Sequence, residues 1–408
     1  MSVTAADAAS CALHDAGTCR SCPHLSLPMP DQLAAKQSRV AALLAEHVPA
    51  ELWQAPAASA PTGFRNKAKM AVAGTTAHPT LGILDGAGCG VDLRTCPLHV
   101  PAIEAALPVL ADLITELGLR PYDVPTRRGE LKYVLVTASP DDDLMVRFVL
   151  RSRRYLERLR AAAPDLHRRL PQLAVAAVNI QSVHQAVIEG PEEIVLTDED
   201  RLLMRLSLPS PGRNGRVGRR AERAELPLYL PTRSFFQTNT AVAEALYATA
   251  RNWAEQAEPA RVWDLFCGVG GFALALAAPG RQVLGVEVSA SAIDGARAAA
   301  DLMGLDPALV RFEAGDAHVL DPAAGESTGG VQRPDLLVVN PPRRGIGEQL
   351  ATRIEASGVE RVLYSSCNPR TLATDLAHLP SMRVVRSRLF DMFPHTEHAE
   401  VLVELVRD

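Results

Sequence analysis

Apolar and polar positions change rhythm twice along the chain. Near the start, Asp31 to Glu46 has the spacing of an amphipathic helix, with Leu33, Val40, Leu43 and Leu44 on one stripe. From about Pro61 to Leu230 short strand-like runs are separated by helical stretches. Tyr133–Thr137 and Met145–Leu150 are predicted as neighbouring strands around the turn-rich Ser139–Asp143. Ala174–Gln181 and Gln185–Glu189 offer a further pair, so this stretch reads as an α+β unit with an antiparallel sheet. In the last third, apolar runs at Arg261–Phe266, Gln282–Val286, Val310–Glu313, Asp335–Val339 and Arg361–Ser365 alternate with helical patterns. The helices are expected at Gly271–Ala278, Ala290–Met303, Glu348–Ala356 and Thr371–Leu379. That alternation predicts a doubly wound, mostly parallel α/β sheet. The division expected is 1–60, a cysteine segment with its helix; 61–230, the α+β unit; and 231–408, the α/β unit.

Composition narrows the class. The 408 residues are 47% apolar and 22% charged, which is globular composition and excludes a mainly disordered, collagen-like or coiled-coil chain. No apolar run has a membrane span's length, and the first residues lack a basic leader, so a cytoplasmic location is expected. Seven cysteines are too few for a disulfide scaffold and leave thiols for metal binding or catalysis. Net charge is −5, yet eight arginines lie between Arg147 and Arg169 against two acids, and five between Arg213 and Arg223 against one. Either cluster alone reads as a solvated face; both together favour a polyanion-facing surface.

The chemistry gathers at the carboxyl ends of the α/β strands, where open α/β sheets bind ligands. Asp264-Leu-Phe-Cys-Gly-Val-Gly-Gly271 is a glycine turn between strand and helix, and Glu287 ends the next strand where a ribose diol would be held. Gly268, Gly270 and Ala273 also satisfy a loose dinucleotide pattern. Asp264 beside the glycines, Gly315-Asp316 after the third strand and Asn340-Pro-Pro-Arg343 after the fourth turn the reading to S-adenosylmethionine. Cys367, in Tyr364-Ser-Ser-Cys-Asn-Pro-Arg370, lies at the same edge near a helix start and several arginines, a setting expected to favour the thiolate. A thiolate beside a methyl donor suits uracil. Addition at carbon 6 makes carbon 5 nucleophilic, and a base must afterwards take the carbon 5 proton. Asp391, His395, Glu397, His398 and Glu400 are all open as that base.

These segments resemble the uridine-C5 RNA methyltransferases, most closely the subgroup acting on 23S ribosomal RNA. The likeness extends to Cys11–Cys22, Phe64–Met70, Arg128–Tyr133, Ser234–Asn239, Val339–Gly347 and Asp391–Thr396, and so covers nearly the whole chain. It implies a methyltransferase fold of Rossmann-like type preceded by an RNA-binding α+β domain. It implies Cys367 as nucleophile, Glu400 as proton acceptor, and Gln237, Phe266, Glu287 and Asn340 as contacts to S-adenosylmethionine. It also implies a [4Fe–4S] cluster on Cys11, Cys19, Cys22 and Cys96. Spacing alone suits a cluster or zinc equally, and leaves Cys89 as an alternative fourth ligand. The partner implied is a hairpin or loop uridine of 23S rRNA, with no membrane or obligate protein partner. Arg65, Lys67 and Lys69 would join the arginine clusters on it. The rivals are a transfer-RNA enzyme, an adenine amino-methyltransferase, a cytosine-C5 enzyme, and a non-enzymatic iron–sulfur or zinc RNA-binding protein. The adenine rival expects an aromatic where Arg343 stands, the cytosine rival a Pro-Cys after strand four. Intact glycines, Glu287 and Cys367 oppose the last.

Overall fold

The computed structural model describes residues 9–185, 187–209, 223–318 and 333–408. The chain opens with α1 (Ala12–Asp15) and α2 (Met29–Leu43), the latter entered through Pro28 and Pro30. Prolines suit a first turn, whose N–H groups have no helical acceptor. The stripe α2 buries is Gln32, Lys36 and Val40, continued by Leu44. Its two polar members find partners far along the chain, as buried polar groups must.

The second unit is a seven-stranded sheet. Its elements are β1 (Lys67–Gly74), β2 (Pro79–Leu84), β3 (Gly90–Asp92), α3 (Pro101–Glu116), β4 (Leu131–Ala138), β5 (Leu144–Leu150), α4 (Leu156–Arg169), β6 (Leu173–Ile180) and β7 (Glu192–Val195). The order is β3-β2-β1-β4-β5-β6-β7. All pairs are antiparallel except β5–β6, which α4 joins as a crossover. Alternate residues of the strands, among them Met70, Val134, Val146, Phe148 and Val178, share a core with Ile103, Leu107 and Leu110 of α3 and Leu159 of α4. The strand expected at 185–189 is corrected to β7 at 192–195, which pairs with β6. Side chains of β6 and its end capture the intervening segment as a loop. Gln181 Nε2 donates to the carbonyls of Val187 and Glu189, and the Gly190 N–H donates to Asn179 Oδ1.

A long hairpin follows, β8 (Arg201–Pro209) with β9 (Arg223–Pro231). Its alternating Leu202, Met204, Leu206, Leu208, Leu226, Leu228 and Leu230 are buried mainly against the third unit, with Met145 of β5 and Val175 of β6 joining the same cluster. The third unit comprises α5 (Thr240–Ala257), β10 (Arg261–Leu265), α6 (Gly271–Ala275), β11 (Gln282–Glu287), α7 (Ala290–Leu302), β12 (Val310–Ala314), β13 (Leu336–Val339), α8 (Gly347–Ser357), β14 (Arg361–Ser366), α9 (Pro369–Ala377), β15 (Met382–Phe390) and β16 (Glu400–Arg407). The sheet runs β12-β11-β10-β13-β14-β16-β15. Five strands are parallel as expected, and the order reverses at β10. The last two add an antiparallel edge, so the sheet is mixed. The hairpin, α5 and α7 fill one face, while α2, α8 and α9 fill the other. Among the described residues, no helix is long and apolar enough to cross a membrane.

Candidate active site

The loops leaving β10, β11, β12, β13 and β14 meet at one edge of the mixed sheet. They enclose a cavity of about 760 Å³. Gln237, Phe266, Glu287, Asn340, Cys367 and Glu400 all line it. Those six, scattered over more than 160 positions, are the residues singled out from the sequence.

Its cofactor half is built on the glycine turn. Asp264 is fully buried in β10, and its Oδ2 accepts the Ala273 N–H at 2.9 Å, pinning the start of α6. Its Oδ1 has no partner. Burial, with Glu287 nearby, raises this carboxyl to about 8 despite the Ala273 N–H. Phe266 sits at φ +66°, a left-handed backbone that a bulky residue rarely adopts. The ring meets His318 edge-on at 5.4 Å between centroids. Gly268 is also left-handed, at φ +55°, and a Cβ there would meet nothing within 4 Å, because the space is open cavity. Glu287 Oε1 accepts the Ser289 N–H at 3.0 Å and its Oε2 faces the Gly268 N–H at 3.3 Å. Its carboxylate is thus held at the cavity wall. An open, glycine-floored space between a fixed carboxylate and an aromatic shelf fits an adenosyl group, with Asp316 and His318 at its far side.

Gln237 reaches the cavity through the segment carrying Phe64-Arg-Asn66. Asn66 Nδ2 donates to the Gln237 carbonyl at 3.0 Å and to Thr240 Oγ1 at 2.9 Å, while its own N–H donates to the Thr238 carbonyl. One step upstream, the Arg65 N–H and carbonyl pair with Leu98 and Val100, beside Cys96. The second unit and the cavity are therefore tied through two consecutive residues, Arg65 and Asn66.

The reacting half lies between β13, β14 and β16. Asn368 caps α9 and donates from Nδ2 to the Arg343 carbonyl at 2.9 Å. Asp375 accepts from Tyr364 Oη and from the N–H groups of Ile346 and Gly347. These bonds stitch the loop after β13 to the loop bearing Cys367. Glu400, the first residue of β16, is buried and accepts Ser365 Oγ at 2.5 Å. Burial lifts its carboxyl to about 7, against the lowering effect of that hydrogen bond. The expectation of a thiolate-favouring setting at Cys367 is corrected. Burial, then the Glu400 charge, push its pKa up, and Arg343 opposes them only in part.

Of the other acids and imidazoles in the tail, His398 lines the cavity, at 3.3 Å from Arg343 and edge-on to Phe393. Asp391 and His395 face away, into a clasp with α2. Lys36 pairs with Asp391 and donates to the Phe393 carbonyl. Gln32 holds His395 through both its backbone N–H and its Nδ1, and the His24 N–H donates to the His395 carbonyl. His395 is left-handed, at φ +64°, and fully buried. The amino-terminal segment thus shapes the loop that leads into Glu400. No apolar-stripe reading of α2 finds Gln32 and Lys36, since both are polar residues inside the buried stripe.

The four cysteines 11, 19, 22 and 96 converge from two distant segments. Burial lifts the Cys22 thiol to about 11, and Cys96, Cys19 and Cys11 add to it. Cys89 is exposed in the Asp85 turn. All four thiols are half-buried. Among the described residues, no group of three or more His, Cys, Asp or Glu side chains is spaced to hold a metal ion.

The basic surface also needs correction. Carboxylates brought by other strands and helices neutralise much of the first arginine cluster. Arg147 is buried between Glu189 and Glu193, Arg151 pairs with Glu130, Arg153 with Glu192 and Arg169 with Glu116. Arg160 and Arg168 have partners on their own helix. The second cluster lies outside the described residues except for Arg223, which pairs with Glu244. Among the described residues, Lys67 and Lys69 on β1 make no ion pair, although the Glu189 charge reaches Lys67. Burial, then Lys69 and Arg147, bring the Lys67 amine down to about 8.

Comparison with known proteins agrees with this geometry. The family model described as tRNA (Uracil-5-)-methyltransferase matches residues 224–318 and 331–408. A protein of Halothiobacillus neapolitanus named 23S rRNA (uracil(747)-C(5))-methyltransferase RlmC is 49% identical over 401 residues, 97% of this chain and 99% of the relative. The protein of that name from Escherichia coli K12 is 45% identical over 398 residues, with the same coverage. Among solved structures, Pyrococcus abyssi tRNA (uracil-54, C5)-methyltransferase in complex with S-adenosyl-L-homocysteine superposes with a TM-score of 0.74 at 24% identity. That alignment covers 94% of this chain and 85% of the other, and shows a shared fold.

Proposed function

The chain belongs to the uracil-C5 RNA methyltransferases, and from that membership we propose that it methylates carbon 5 of one uridine in 23S rRNA, in the cytoplasm. The observation that carries the proposal is the meeting of Cys367 and Glu400 in the cavity that Glu287, Gln237, Phe266 and Asn340 also line. S-adenosylmethionine, when bound, supplies a methyl group on a positively charged sulfur. Glu287 is assigned to the ribose hydroxyls, Phe266 and Gln237 to the remainder of the nucleoside, and Asn340 to the boundary between cofactor and base. Cys367 Sγ gives its proton to solvent and bonds to uracil carbon 6, and the ring's electron pair moves toward carbon 5. Once carbon 5 has taken the methyl group, Glu400 accepts the carbon 5 proton. That electron pair re-forms the ring double bond and expels Cys367 as thiolate, so every bond made to the enzyme is broken again.

The target base must leave its stack to reach the cavity, at a cost of about a few kcal/mol that a hairpin or loop lessens. The 61–230 unit is assigned to RNA. Lys67 and Lys69 support this, since crowded cations whose repulsion the Glu189 charge offsets only in part gain from an approaching phosphate. If the function is as proposed, 23S rRNA from cells lacking the gene will lose one 5-methyluridine, and mass mapping will place it at the equivalent of position 747. Loss from transfer RNA instead would assign the chain to the other branch of the family.

Cys11, Cys19, Cys22 and Cys96 are proposed as the ligands of a [4Fe–4S] cluster, supported by the mutual influence of their thiols. Protein purified without oxygen should carry broad visible absorbance and iron. Cys96→Ser should lose both, whereas Cys89→Ser should keep them. Zinc in place of iron would refute the assignment.

A further inference from the structure

Ser365 has no task in the scheme above, yet among the described residues it alone donates a hydrogen bond to the carboxylate of Glu400. The residue lies one position before the end of the β14–β16 pairing, opposite Leu402, and is 0% exposed. Its hydroxyl has one proton to give, and gives it to Glu400 Oε1 at 2.5 Å. None of the described residues donates to Oε2, which leaves that oxygen for the substrate proton. We propose that Ser365 is a positioning residue for the proton-accepting step: its hydroxyl locks one oxygen of Glu400 and keeps the carboxylate ionised, with the other oxygen free. This rests on Glu400 being the base.

The electrostatic surroundings give Ser365 that weight. A buried carboxylate far from cations reverts to the neutral acid unless a donor sustains the charge. The titratable groups around Glu400 do not sustain it. Tyr247 of α5 and Cys367 at the end of β14 each feel the Glu400 charge as a repulsion against their own ionisation. Asp264 of β10 acts on Tyr247 in the same sense. Arg343 and His398 line the same cavity, but Arg343 acts on Cys367 and on His398. Farther along β16, Glu404 has both carboxylate oxygens occupied, by Arg361 and Arg386. Among the described residues Glu400 has only the serine donor, and burial lifts its carboxyl to about 7, where a base can both accept and release a proton.

The test separates attack from release. In single-turnover reactions with cofactor and RNA, Ser365→Ala should shift the acid limb of product release up by about one pH unit and slow release about fivefold at pH 7. Methylated covalent adduct should accumulate. The rate of adduct formation on RNA carrying 5-fluorouridine, which needs Cys367 but not the base, should stay within about twofold. Ser365→Thr, which keeps the hydroxyl, should restore the limb. Ser365→Cys, a weaker donor of similar size, should place it between and guards against misfolding of the alanine variant. An unmoved limb in the alanine and cysteine variants overturns the proposal, as does an equal loss in adduct formation. If Glu400→Gln also releases product normally, the base assignment itself has failed. If Glu400→Gln arrests while Ser365→Ala behaves as wild type, only the role of Ser365 has.

Discussion

Cys367→Ala is expected to abolish methyl transfer while SAM binding survives. Deleting a nucleophile that works as part of a unit costs on the order of 10⁶ in turnover in a serine protease, and a similar collapse is expected here. The cofactor contacts sit on other segments: Phe266 after β10, Glu287 on β11, Asn340 after β13 and Gln237 before α5. Calorimetric affinity for S-adenosylmethionine should therefore change little. Cys367 is only half-buried and precedes the cap of α9, so the loss of one sulfur should move Tm by no more than a few degrees. With 5-fluorouridine RNA, the wild-type protein should form an adduct that survives denaturation and maps to Cys367, and the variant none. Residual transfer above background in the variant would end the assignment. The pH dependence has a definite sign. Since burial and Glu400 hold the thiol above its usual range, the protonated form dominates at neutral pH. Adduct formation should accelerate as pH rises through 7 to 9.

Glu400→Gln carries the second large effect, at the opposite end of the reaction. The amide cannot take the carbon 5 proton, so Cys367 stays bonded to a methylated uridine. Denaturing gels should show protein–RNA adduct accumulating with natural, unfluorinated RNA, with the methyl group already transferred. Turnover should fall by at least about 10²–10⁴, the usual contribution of a positioned base. In the wild type, release should weaken as pH drops below about 7, where the carboxylate becomes protonated. The stability consequence runs the other way from a paired acid. A carboxyl raised in the folded state binds its proton more tightly there than in the unfolded chain. Folding is thus penalised once pH exceeds the unfolded value of roughly 4.3. Removing the charge should leave Tm at pH 8 unchanged or raise it. A marked fall in Tm, or ordinary product release, would count against this role.

The two assignments show how a site becomes legible. Cys367 and Glu287 can be reasoned from the sequence because each ends a strand of an alternating α/β pattern, and such ends share one edge of the sheet. Glu400 cannot be chosen that way among five candidates within ten residues. The structure places both Glu400 and His398 at the cavity wall, Glu400 buried and His398 exposed, and turns Asp391 and His395 elsewhere. Asp391 and His395 are spent on Lys36 and Gln32, whereas Glu400 lines the cavity. The arginine run at 147–169 misleads for a related reason. A local charge count omits Glu116, Glu130, Glu189, Glu192 and Glu193, which neighbouring elements bring alongside.

Local periodicity was sufficient for the five parallel strands, for most of the helices and for the edge at which chemistry occurs, because backbone hydrogen bonding and one-sided burial impose their repeat on nearby residues. It was silent wherever a residue's partner lies in another element, tens to hundreds of positions away. Gln32 and Lys36 on the clasp of α2, Ser365 beneath Glu400, the burial of the 201–231 hairpin against the mixed sheet and the final antiparallel pair all belong to that second group. In each, the energy comes from desolvating one group against another that only the folded chain brings near, and a side chain read alone carries no mark of what it will touch.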